Sequence, residues 1–64
     1  MGTYSREEFI ETTVQKLGNK PLARYIAEQV YEEKGPESNI RDCVQIAEIA
    51  KTEQDVWRIL HLIK

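Results

Sequence analysis

Helix punctuation divides this chain into four short segments, and no strand signal falls between them. Ser5 followed by Glu8 is a capping-box pattern, and Gly18 supplies a left-handed stop. Asn19 reads as the next N-cap, with Pro21 tolerated in a first turn. Gly35 and Pro36 end that helix. Asn39 with Asp42, and then Thr52 with Asp55, repeat the spacing of an N-cap and its third helical residue. The punctuation predicts helices over Arg6–Leu17, Lys20–Glu33, Ile40–Lys51 and Glu53–Ile63, joined by links of two to six residues. The expected fold is all-α, a compact bundle of four short helices in one domain over residues 4–64. Met1 and Gly2 read as an expression remnant, and residues 1–3 are set outside the fold.

Each segment carries an apolar stripe at helical spacing. The first has Phe9, Ile10, Thr13, Val14 and Leu17, and the second Leu22, Ala23, Ile26, Ala27 and Val30. The third presents Ile40, Cys43, Val44, Ala47 and Ala50, widened by Ile46, with Ile49 near the polar side. So wide an arc predicts that the third helix is the central one, with Cys43, Val44 and Ala47 inaccessible. The fourth has Val56, Ile59, Leu60 and Ile63. Tyr25, Tyr31, Ile49, Trp57 and Leu62 fall at the margins of these stripes, where they either cap the core or mark a docking surface.

A chain of 64 residues buries only about 60% of its unfolded surface and cannot enclose a large pocket. Its net charge of −2 argues against strong phosphate-backbone binding, which needs clustered cations. One cysteine excludes an internal disulfide. No apolar run approaches the length of a membrane span and the N-terminus is no signal peptide, so the expected location is cytoplasmic and off the membrane.

Few residues suggest chemistry. His61 is the only histidine, lies opposite the stripe of the fourth helix and has no companions at ligand spacing, so it reads as exposed and silent. Cys43, on an apolar face, reads as a buried structural thiol rather than a nucleophile. Glu7, Glu8 and Glu11 form a solvated acidic face. Arg41 is different. It is the second residue of its helix, where the macrodipole is positive and cations are disfavoured. The plain reading is an ion pair with Asp42 or Glu37. The functional one is an arginine that completes an anion site with the helix end.

Ser38-Asn39-Ile40-Arg41, followed by Asp42-Cys43-Val44-Gln45-Ile46-Ala47, resembles a helix opening found in the C-terminal helical lid of AAA+ ATPases, in clamp-loader and Holliday-junction motor lids. Leu22-Ala23-Arg24-Tyr25-Ile26-Ala27-Glu28 is similar to the lid helix before it, and Tyr4-Ser5-Arg6-Glu7-Glu8-Phe9 to the approach to the first lid helix. Many such lids have glycine where this chain has Ser38, and its turn glycine comes earlier, at Gly35. The resemblance implies a non-catalytic lid in which Arg41 is the sensor-2 residue, contacting the terminal phosphate of ATP. It implies packing on the nucleotide-binding domain of the same protein or on a neighbouring subunit. The chain has no GxxxxGK[ST] phosphate loop and no acidic strand end for magnesium, so alone it is no enzyme and holds no cofactor.

Two other readings stand beside the lid. A protein-interaction module would use the marginal apolar residues for a partner or for weak self-association. A helix-turn-helix DNA reader ranks last, because the third helix sets Arg41 and Lys51 against Asp42 and Glu48.

Overall fold

The computed structural model describes residues 4–62, and its side chains as far as His61. Leu62 and Ile63, named above for the margin and the stripe of the fourth helix, therefore lie outside the side chains described. Four α-helices follow in order: α1 (Arg6–Lys16), α2 (Ala23–Lys34), α3 (Ile40–Ile49) and α4 (Glu53–Leu62). A single 3-10 turn, Gly35–Glu37, links α2 to α3. Among the described residues there is no strand, and the all-α, four-helix architecture is as the punctuation predicts. No described helix is long and apolar enough to cross a membrane.

The caps explain most boundaries. Ser5 accepts from the Glu8 N–H and Glu8 accepts from the Ser5 N–H, so α1 opens on a complete capping box. It closes on a Schellman motif: the Asn19 N–H donates to Val14 O at 2.9 Å and the Gly18 N–H to Gln15 O at 3.1 Å. That motif corrects the expected start of α2. It holds Asn19 at φ 59, in the left-handed region, whereas an N-cap needs extended backbone. The chain then spends Lys20–Leu22 in a turn, closed by the Ala23 N–H on Lys20 O. Pro21 lies before the helix rather than in its first turn.

α3 stops at Ile49, two residues early, for a similar reason. Ala50 is extended at φ −80 and ψ 136. This frees the Lys51 and Thr52 N–H groups to donate to the Asp55 carboxylate, at 3.0 and 3.3 Å, while the Asp55 N–H donates to Thr52 Oγ1. α4 thus opens on its own reciprocal cap. Four contacts hold the Asp55 carboxyl below its ordinary value: the Lys51 N–H foremost, then the Thr52 N–H and hydroxyl and the Arg58 charge. Desolvation opposes them and is second in size only to the Lys51 contact.

The central helix is α2, not α3. α2 packs against each of the other three helices, and α3 and α4 barely meet. Ala23, Ile26, Ala27 and Val30 of α2 are all buried. Cys43 is buried as expected, but Val44 and Ala47 are only half-buried. The wide apolar arc of α3 is therefore wider than the surface its neighbours cover. The fold is 15 Å deep on its short axis. Two helix layers at ~8–10 Å separation, with Cα atoms ~2.3 Å off each axis, account for that depth. Phe9 sits at one end of the core between Tyr4 and Tyr31, with ring centroids 5.8 and 5.7 Å away. The Tyr31 hydroxyl donates to Tyr4 O at 3.0 Å.

Candidate functional site

The segment between α2 and α3 is held from three directions. Gly35 stops α2 at φ 63 and ψ −144, a combination essentially reserved for glycine. Pro36 and Glu37 complete the 3-10 turn. Ser38 is buried beneath it, its one hydroxyl proton donated to Gly35 O at 2.6 Å, with Val30 O a long second acceptor at 3.4 Å. A glycine at position 38 would lack the hydroxyl that makes this contact. Lys34 Nζ reaches Asp42 Oδ2 at 2.9 Å and ties the end of α2 to the first turn of α3.

Arg41 projects from this braced corner. Asn39 is extended and its Oδ1 accepts from the Arg41 N–H at 2.9 Å, so the cap is spent on the arginine's own backbone rather than on that of Asp42. The Arg41 side chain is exposed and makes no ion pair among the described residues. The pairing with Asp42 or Glu37 expected on the plain reading does not form. Asp42 has been taken by Lys34. The guanidinium is left beside the positive end of a helix, a place that costs a cation ~0.3–1 kcal/mol and favours an arriving anion.

Cys43 lies one residue on, with none of its surface exposed. Burial pushes its thiol up to about 11, partly opposed by the Thr13 hydroxyl and slightly reinforced by Asp42. The Thr13 contact falls short of full hydrogen-bond geometry, so the buried Thr13 Oγ1 has no partner among the described residues. A thiol held protonated and covered is inert at neutral pH.

Of the marginal apolar residues, Ile49 is 65% exposed and Trp57 51% exposed. Tyr25 and Tyr31 instead pack partly buried against the core, so they close it rather than face outward. His61 is corrected too. It is half-buried, stacks on Trp57 at 4.3 Å between ring centroids and brings Nε2 within 3.7 Å of the Glu33 carboxylate. Helical spacing placed it opposite its own stripe but was blind to the end of α2 lying there. The Lys34–Asp42 bridge was likewise invisible, since it needs the turn geometry before the two residues meet.

A groove of about 490 Å³ opens between α2, α3 and α4, floored by Val30, Ile46, Ile59 and Leu60 and flanked by Ile49. The other outward positions of α3, Gln45 and Glu48, add no cation to Arg41. Among the described residues, no group of three or more His, Cys, Asp or Glu side chains is gathered as metal ligands. Comparison with family models, curated proteins and solved structures finds no match to this chain.

Proposed function

We propose that this chain is the non-catalytic helical lid of an AAA+ ATPase, with Arg41 as the residue that meets the nucleotide's terminal phosphate. The observation that carries the reading is the state of Arg41. It is exposed, unpaired among the described residues, and fixed at the second position of α3 by the Asn39 cap and the Lys34–Asp42 bridge. An arginine so placed has a field to satisfy and geometry suited to forked contact with a phosphate. The motif Ser38-Asn39-Ile40-Arg41 and the four-helix order agree with that role. Ile49 and Trp57 are suited to pack on a nucleotide-binding domain or a neighbouring subunit. ATP belongs to the complete protein, since one arginine and a helix end cannot replace a phosphate loop.

The test is ATP hydrolysis by the complete protein with position 41 changed. Arg41→Ala lowers hydrolysis while leaving the fold intact. Arg41→Lys recovers only part, because a point charge cannot make two forked contacts. Wild-type hydrolysis by Arg41→Ala sinks the assignment. The reading left would be a plain interaction module, which the exposed Ile49 and Trp57 favour on their own.

A further inference from the structure

A second groove, of about 290 Å³, lies between the start of α2 and the end of α3. Leu22, Ile26, Ala47 and Ala50 contribute its apolar lining, and Lys20 and Lys51 complete it from two different loops. No carboxylate lines it, although the chain has 11 acidic residues against nine basic ones. Both lysines are exposed and neither is in an ion pair among the described residues. The larger groove is different, because Glu33, Lys34 and Asp42 line it with both signs and Lys34 is already bound to Asp42. Of these two grooves, the smaller has lysines as the only charged groups in its lining, and the nearest carboxylate, Asp55, is bonded to the backbone of Lys51 rather than to its ammonium.

We propose that this groove binds an acidic peptide segment, one or two of whose apolar side chains enter between Ile26 and Ala47 while flanking carboxylates meet Lys20 and Lys51. The alanines matter because a small lining lets a partner's backbone come close. The lysines set the sign and the register of what fits, as rim charges do at protein interfaces. The proposal does not rest on the lid reading, since Arg41 is not among the lining residues.

The experiment uses three fluorescein-labelled synthetic helical peptides. The first has two leucines four residues apart, flanked by glutamates. The second has lysines in place of the glutamates, and the third serines in place of the leucines. Fluorescence anisotropy measures affinity, and amide chemical shifts map the site. The acidic leucine peptide binds at least tenfold more tightly than either control and perturbs Lys20, Leu22, Ala47 and Lys51. Its affinity falls as salt shortens the Debye length from ~30 Å at 0.01 M to ~3 Å at 1 M. The double change Lys20→Glu with Lys51→Glu reverses the preference between the glutamate and lysine peptides, and Lys20→Gln with Lys51→Gln abolishes it. Thermal melts show these exposed changes leave the fold in place. Equal binding of the glutamate and lysine peptides, no binding of the acidic one, or shifts confined to the larger groove would each overturn the proposal.

Discussion

Val30→Ala and Val44→Ala delete the same two carbons from adjacent helices, and the structure assigns them different costs. Val30 is wholly buried in α2, whereas Val44 is half-buried in α3 and outside the core cluster. At Val30 the lost transfer energy is ~1.6 kcal/mol, taking ~0.8 per buried carbon. A residual void of ~30–50 Å³ at ~24 cal/mol per Å³ adds ~1 kcal/mol. The expected loss is therefore ~2–3 kcal/mol, out of the ~3–10 that a domain this size possesses. At Val44 about half the transfer energy is at stake and solvent fills the gap, so the loss stays under ~1 kcal/mol. In melting temperature that is ~10–20 °C against a few degrees. Urea denaturation followed by far-UV circular dichroism, with unchanged slope, measures both. Equal losses, or a larger one at Val44, would refute the placement of α2 at the centre and restore the third helix to it.

Three further outcomes follow from local chemistry. Gly35→Ala costs ~1–3 kcal/mol by thermal melt, because its backbone angles are closed to other residues even though a Cβ there meets nothing within 4 Å; a neutral change would contradict the strain. Cys43 reacts with a thiol reagent ~10³–10⁴-fold more slowly in the folded chain than in urea, reporting an opening energy near 5 kcal/mol, and fast labelling would mean its burial is wrong. The Asp55 cap is pH-linked. With its folded pKa lowered, its stabilisation is present above the ordinary carboxylate range and lost as pH falls through the lowered value. Asp55→Ala should therefore flatten the acid limb of the stability profile, and an unchanged limb would show that this cap contributes nothing.

Where a feature depends on residues close in the chain, it could be read in advance. The caps at Ser5 and Thr52 pair groups three residues apart, so spacing sufficed. Marginal position alone does not separate Ile49 and Trp57, which are exposed, from Tyr25 and Tyr31, which close the core. The start of α2 could not be read, because Asn is a good N-cap and also tolerates the left-handed region. Which role wins at Asn19 is decided by the Val14 carbonyl it must satisfy. Periodicity points to α3 as the central helix, and the structure to α2, because periodicity measures how wide an apolar arc is, not how many helices cover it. At the candidate site, Arg41 was visible from its place in the helix. Its isolation was not, because that depends on Lys34 reaching Asp42 across the Gly35–Glu37 turn.

The central claim is that Arg41 meets the terminal phosphate of a nucleotide. Its most direct test compares ATP and ADP affinities in the complete protein, wild type against Arg41→Ala, by calorimetry in the presence of magnesium. A lost charged hydrogen bond is worth ~1.5–3 kcal/mol. ATP affinity should therefore fall by roughly 10- to 100-fold, while ADP, which lacks that phosphate, stays within about twofold. Equal losses for the two nucleotides, or no loss for either, would contradict the claim.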